Sequence, residues 1–346
     1  MSLKNSSVKI KIPKLLQKKL NNKKIKKIYK RFERSTNINE SFGVAVSGGP
    51  DSLALVFLAK IYALKKGLKA FFFIVDHKLR SESTKEALKV KKILKKNHIN
   101  AEILTWRGKK PSKNIQSIAR KKRYELLSQR CKKIGINYIF LGHHQDDLFE
   151  NFFIRFLRGS GLKGLISLGK INRINNLNIL RPLLNEKKKD LIFISNFIFN
   201  FYVEDPTNND NNYKRVRLRK LIKSMKEEGF DENKLRLTLN NLRESNVSIN
   251  YYVKKNIDTN SKFFKDKSIC ILKKSFFIQP QEIVFRSFVH ILKIIGMKYY
   301  NPRGKSISLI INNINGKFFH KATLSGCIIE KISNSIKICR ENSKKI

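Results

Sequence analysis

Several groups of residues in this sequence could do chemistry. The first is Ser47-Gly48-Gly49-Pro50-Asp51-Ser52, which follows the apolar run Phe42–Val46. Glycines let a phosphate reach the backbone with no Cβ in the way, and the N–H groups at a helix start attract an anion. Ser47 and Ser52 add hydroxyls, and Pro50 suits the first helical position. Asp51 is out of place beside a phosphate unless Mg2+ or a cationic group sits between them, so it is the candidate metal ligand. Neither the Walker A pattern nor G-x-G-x-x-G is present. A second group is Arg120 and Arg123, three apart on one helix face and able to clamp a phosphate together. A third is His143-His144 with Asp146, Asp147 and Glu150, whose carboxylates share one face at a helix start beside two imidazoles. Such acids also favour the helix dipole, but a dense acidic cluster in a chain short of carboxylates suits a cationic ligand. Asp76-His77, at the end of another apolar run, completes the set.

These residues need elements to hold them. Continuous apolar runs at Phe42–Val46, Ala70–Val75, Ala101–Trp106 and Tyr138–Leu141 read as strands. Helical stretches at Leu53–Leu64, Thr84–Lys96, Ile115–Lys133 and Asp147–Leu157 alternate with them. Strands that are apolar throughout, separated by helices, predict an α/β fold with a doubly wound parallel sheet, Rossmann-like, covered on both faces. Ligands of such sheets bind beyond the carboxyl ends of the strands, where Ser47, Asp76 and His143 fall. Ahead of the sheet, residues 13–34 read as one basic amphipathic helix. Beyond residue 212 the texture changes. A helix at Lys214–Met225 is basic on nearly every side, through Lys214, Arg215, Arg217, Arg219, Lys220 and Lys223. A polar helix or helix pair covers Glu232–Asn256, a hairpin Ser268–Ile278, amphipathic helices Gln281–Ile295 and Ser306–Asn313, and two strands Thr323–Arg340. The expected organisation is a basic extension at 1–35, a nucleotide domain at 36–212, a basic helical segment at 213–260 and a small α+β domain at 261–346.

The 346 residues carry 74 lysines and arginines against 26 aspartates and glutamates, a formal net charge of +48. Compositional drift towards Lys, Asn and Ile would not by itself leave acids so scarce, so the charge calls for an anionic partner, nucleic acid above all. Lys214, Arg215, Arg217, Arg219 and the Arg158-Gly159 turn are the candidate RNA contacts. No apolar run approaches the roughly 20 residues of a membrane span, and the basic start has no apolar core of a signal peptide. The cysteines Cys131, Cys270, Cys327 and Cys339 form no C-x-x-C, which speaks against a zinc ribbon or a cysteine-held cluster. Reduced thiols and a cytoplasmic location are the expectation.

The loop at 47–52 resembles the pyrophosphate loop of the N-type ATP pyrophosphatases, the PP-loop family. Within that family, Asp76-His-Lys-Leu-Arg80, Asn114–Tyr124, Leu141-Gly-His-His-Gln-Asp-Asp-Leu-Phe-Glu150, Arg155–Leu165, Leu180-Arg-Pro-Leu-Leu184 and Glu204-Asp-Pro-Thr-Asn208 together look like the tRNA(Ile)-lysidine synthetases. The chain departs from their pattern at Lys187–Lys189 and at Arg215-Val216-Arg217. The resemblance implies a ligase that cleaves ATP to AMP and pyrophosphate. It would adenylate the C2 oxygen of the wobble cytidine in the CAU anticodon of tRNA(Ile) and let lysine displace the AMP. It implies ATP at Ser47, Gly48, Gly49, Pro50, Asp51, Ser52, Asp76 and His77, with Mg2+ at Asp51. It implies lysine at Asp146, Asp147 and Glu150, and catalytic roles for Asp51, Arg120, Arg123, His144 and Asp147. His143, His144 or a carboxylate could take the proton of the attacking amine, and a homodimer is left open. A cluster-bearing tRNA thiolation enzyme would need paired cysteines; a basic RNA-binding module with a vestigial loop would release no AMP.

Overall fold

The first strand, β1 (Phe42–Val46), pairs in parallel with β2 (Ala70–Asp76) on one side and with β4 (Tyr138–Phe140) on the other. With β3 (Ala101–Thr105), β5 (Ile171–Ile174) and β6 (Leu177–Leu180) they form a six-stranded sheet of order β3-β2-β1-β4-β6-β5. The chain winds outward from β1 to β3, then returns to the far side of β1 at β4. The loops after β1 and β4 therefore meet where the winding reverses, the place where open α/β sheets bind ligands. All pairs are parallel except β5–β6, an antiparallel hairpin at the edge that the sequence reading did not contain. Each of its strands has only four residues, INRI and LNIL, with no regular alternation to stand out.

The computed structural model describes residues 12–108, 111–112, 114–174, 177–204, 214–264, 267–298, 302–316 and 318–341. It divides into two compact units, Met1–Glu232 and Asn233–Ile346.

In the first unit, helix α3 (Pro50–Lys66) starts on the glycine loop and ends at Gly67, whose φ of 67° closes the helix in the left-handed region. Leu53, Leu55, Val56, Phe57 and Leu58 are all fully buried, so the helix is surrounded by core rather than laid on a surface. The N-terminal stretch is two helices, α1 (Lys14–Leu20) and α2 (Lys23–Ser35), not one. Asn22 breaks the run: its side chain accepts from the Lys24 and Ile25 N–H groups and so caps α2. Leu16, Ile25 and Phe32 are fully buried in the same core as β1 and α3, despite the lysines around them. Helices α4 (Ser83–Lys96), α5 (Ile115–Lys133), α6 (Gln145–Phe156), the short α7 (Leu162–Leu165) and α8 (Lys188–Phe199) complete the cover of the sheet. Helix α9 (Lys214–Glu227) belongs to this unit and packs on α6. Contrary to the expectation of a helix basic on nearly every side, α9 buries Val216, Leu218 and Ile222.

The second unit opens with one long helix, α10 (Glu232–Asn260). A five-stranded antiparallel sheet follows, of order β7-β8-β11-β10-β9. Its strands are β7 (Ser261–Phe264), β8 (Ile269–Lys273), β9 (Lys321–Leu324), β10 (Cys327–Ile332) and β11 (Ser335–Arg340). Helices α11 (Gln281–Gly296) and α12 (Gly304–Ile314) share its core through Phe288, Ile291, Ile295 and Ile311. Two sequence expectations are corrected here. The hairpin expected at Ser268–Ile278 is β7–β8, and β8 runs instead into a single 3-10 turn, Lys274–Phe276. The two strands expected at Thr323–Arg340 are three, because Ser325-Gly326 makes a first turn in the left-handed region before the turn at Ser333-Asn334.

Candidate functional site

The loop between β1 and α3 is held open by its own side chains. Ser52 Oγ accepts the Ser47 N–H at 3.2 Å and donates to the Gly49 carbonyl at 2.9 Å. Gly48 has φ +85°, and a Cβ there would stand 2.7 Å from Val90 Cγ2, so only glycine fits. The Gly48 carbonyl accepts the Val203 N–H at 2.9 Å, which anchors the loop to the segment after α8. From the other side, Gly142 lies under the start of α3; a Cβ at 142 would be 3.2 Å from the Asp51 carbonyl and Ser52 Cα. That close approach lets β4 deliver its following residues to the loop.

A cavity of about 180 Å³ lies there, lined by Ser47, Asp51, Ser52, Arg120, Arg123, Tyr124, Gly142 and His143 among others. Residues from the ends of β1 and β4 and from the first turns of α5 thus converge, as their sequence positions required. Arg120 lies over the Tyr124 ring at 5.2 Å. Arg123 Nε donates to His77 Nε2 at 3.5 Å, which links the end of β2 to the cavity. Burial, then the Arg123 charge, lowers the His77 pKa to about 4, so the ring is a neutral acceptor.

Asp76 is not brought to the cavity as a free carboxylate. Its Oδ1 accepts the Lys78 N–H and the Ser83 hydroxyl, and its Oδ2 accepts the Thr84 hydroxyl at 2.7 Å. Burial works against its charge, but these donors outweigh it and hold the carboxyl below the ordinary range. Asp76 therefore shapes the turn into α4.

His144 stands between two carboxylates. Its Nε2 lies 3.5 Å from Asp51 Oδ2 and 3.6 Å from Asp147 Oδ2. Its Nδ1 accepts the Asp146 N–H at 3.2 Å, while Asp147 Oδ2 accepts the His144 N–H at 3.0 Å, a capping box for α6. Asp51 Oδ1 is buried with no hydrogen-bond partner, an oxygen left available to a cation. Asp146 is half-buried, with no ion-pair partner among the described residues. Glu150 is different: it is buried, accepts Arg219 Nε at 2.5 Å, and has Arg215 Nε at 3.9 Å. Burial still raises the Glu150 pKa against these two guanidinium charges. Two sequence expectations, Glu150 for a cationic ligand and Arg219 for RNA, thus meet each other in an internal ion pair. Lys214, Arg215 and Arg217 lie on the outer part of α9, and Arg158 is exposed in the turn after α6. The motif Asp205-Pro-Thr-Asn208 falls outside the described residues.

The sequence reading gives no role of their own to Tyr124 and Arg181, and names Gly142 only as part of a chemically loaded strand end. Tyr124 and Gly142 line the cavity, and Arg181, after β6, donates to His143 Nδ1 at 3.1 Å. A glycine wedged between a strand end and two histidines, and an arginine closing an apolar strand, were the available signals.

Residues 17–225 match the family model of the PP-loop domain. A tRNA(Ile)-lysidine synthase from Wolbachia sp. subsp. Brugia malayi (strain TRS) is 34% identical over 309 residues, which cover 88% of this chain and 72% of the relative. The chain belongs to the tRNA(Ile)-lysidine synthase family. Another member, from Orientia tsutsugamushi (strain Boryong), is 36% identical over 311 residues, 88% of this chain and 70% of that one. Through its PP-loop domain, a member of this family uses ATP. A solved structure, the U34-tRNA thiolase NcsA from Methanococcus maripaludis with its [4Fe-4S] cluster, shares the fold. Its TM-score is 0.55 at 16% identity, over 64% of this chain and 80% of that one. No described helix is long and apolar enough to cross a membrane.

Proposed function

We propose that this lysidine synthase family member joins free L-lysine to C2 of the wobble cytidine of tRNA(Ile) bearing a CAU anticodon. ATP is split to AMP and pyrophosphate through an adenylated cytidine, and the lysidine formed changes decoding from AUG to AUA. The observation that carries this reading is the convergence of the Ser47–Ser52 loop, Arg120, Arg123 and His143 on one cavity where the sheet reverses its winding. The loop cradles the phosphates on backbone N–H groups and the start of α3. Arg120 and Arg123 stabilise charge that grows as pyrophosphate leaves.

The residues present fit Mg2+. This ion takes one or two carboxylates and completes its shell with phosphate and water, and Asp51 offers a buried, unpartnered oxygen beside the loop. When bound, Mg2+ neutralises phosphate charge. In this reading Asp146 and Asp147 hold the ammonium or α-amine of lysine. Lys214, Arg215, Arg217 and Arg158 supply cations for the RNA backbone.

The test is incubation of the protein with ATP, Mg2+, labelled lysine and tRNA(Ile), followed by mass spectrometry of nuclease fragments. A gain of lysine less water on the wobble cytidine supports the reading. An oxygen-for-sulfur exchange, or AMP accumulating with unmodified RNA, refutes it.

A further inference from the structure

Arg181 is a buried guanidinium, 4% exposed, with no carboxylate paired to it among the described residues. Its Nη1 donates to the Gly169 carbonyl at 2.8 Å and to Asn172 Oδ1 at 2.5 Å, and its own N–H is fixed to the Lys170 carbonyl. Its Nε–H points at His143 Nδ1, and the same guanidinium shares a hydrogen bond with Tyr124. A guanidinium can only donate. The His143 Nδ1 must therefore present a lone pair, and the single ring proton of the neutral imidazole sits on Nε2. His143 lines the cavity that also contains Ser47, Asp51 and Ser52.

We propose that Arg181 is a positioning residue that locks His143 as a neutral Nε2–H hydrogen-bond donor, aimed at an oxygen that gains negative charge in the adenylation step. His143 in this state is a catalytic donor and not the general base. Both of its nitrogens are committed: one is held by Arg181 and the other already carries its proton. Its electrostatic surroundings agree. Burial, with Arg181, Arg120 and Arg215, outweighs the opposing Asp147 and lowers the ring's pKa to about 4. The neighbouring His144 is likewise committed, since its Nδ1 caps α6. Its Nδ1 accepts the Asp146 N–H, and its Nε2 faces Asp51 Oδ2 and Asp147 Oδ2. In the step itself the cytidine O2 attacks the α-phosphorus and the bond from that phosphorus to the β-bridging oxygen breaks. Pyrophosphate departs with the electron pair, and His143 gives a hydrogen bond without losing its proton.

The inference rests on the nucleotide reading of this cavity, so its first test does not use activity. In the full-length protein with 15N-labelled histidine, long-range 15N–1H spectra at neutral pH report each ring's tautomer. His143 should be neutral and protonated on Nε2, and Arg181→Met should mix its tautomers. A cationic or Nδ1-protonated His143 in the parent overturns the proposal, whether or not the protein makes AMP. The second test is tRNA-dependent AMP formation. Gln places an N–H where His has Nε2–H and cannot act as a base, so His143→Gln should stay within about tenfold of the parent. His143→Ala should lose about 10²–10³-fold in kcat, the usual cost of one such donor. Arg181→Met should lower kcat with little change in the KM for ATP, and its penalty should shrink in the His143→Gln background. An equal penalty in both backgrounds would make Arg181 merely structural. A His143→Gln variant as inactive as His143→Ala would make His143 the base.

Discussion

Asp51 and the two cavity arginines do different work, and each makes a separate prediction. The Asp51 carboxylate is anchored to His144 through one oxygen and leaves the other unpartnered. Asp51→Ala should reduce AMP formation by at least about 10²-fold and leave tRNA affinity nearly intact. AMP production at the parent rate would remove Asp51 from the metal site. Arg120→Ala and Arg123→Ala should lower turnover more than tRNA affinity. A clamp on developing charge acts in the transition state, whereas one phosphate contact among many is a small part of binding. Equal losses in kcat and in tRNA affinity, measured by filter binding, would place them in the general RNA footprint. Arg219 shows how a residue type misleads without its partner. In sequence it is one more cation on a basic helix; in the fold it is bound to Glu150 on α6.

The segment from the end of β2 to α4 depends on Asp76, which gathers Lys78, Ser83 and Thr84 around one buried carboxylate. Asp76→Ala leaves three donors without their acceptor and should cost about 1–3 kcal/mol at neutral pH. The sign with pH follows from its depressed pKa. A carboxylate held below its unfolded value of about 3.9 contributes its stability above that value and loses it as pH falls through the folded value. Denaturant midpoints of parent and variant should thus differ at pH 7 and converge towards pH 2. A gap that persists in acid would show that the Asp76 charge is not what holds the turn. The same element gives Asp76 a structural role beside the ligand role that its place at a strand end suggests.

At the scale of the chain, the nucleotide cavity lies wholly in Met1–Glu232, while Asn233–Ile346 has its own sheet and core. A fragment ending at residue 232 should bind ATP by calorimetry but bind tRNA(Ile) more weakly and less selectively than the full chain. A folded fragment with unchanged affinity and selectivity would show that residues 233–346 take no part in RNA recognition. Binding by the full chain, with its net charge of +48, should weaken steeply as salt rises, in a linear log–log relation set by the phosphates neutralised. A flat salt response would mean that the charge serves something other than RNA.

The parallel sheet, the loop at 47–52 and the face shared by Arg120 and Arg123 could be read from the sequence. They rest on local rules: apolar runs that match strand length, glycines before a helix, and residues three apart on one turn. The antiparallel edge β5–β6 and the turn at Ser325-Gly326 could not be read so, because strands of four residues are too short to show a period, and they hold their place through the sheets they join. Tertiary structure alone decided which ionisable groups are free. Glu150 and Arg219 are 69 residues apart, and Arg181 and His143 are 38 apart. Only folding brings such pairs within hydrogen-bond reach, and the partner then fixes whether a side chain faces a ligand or the protein itself.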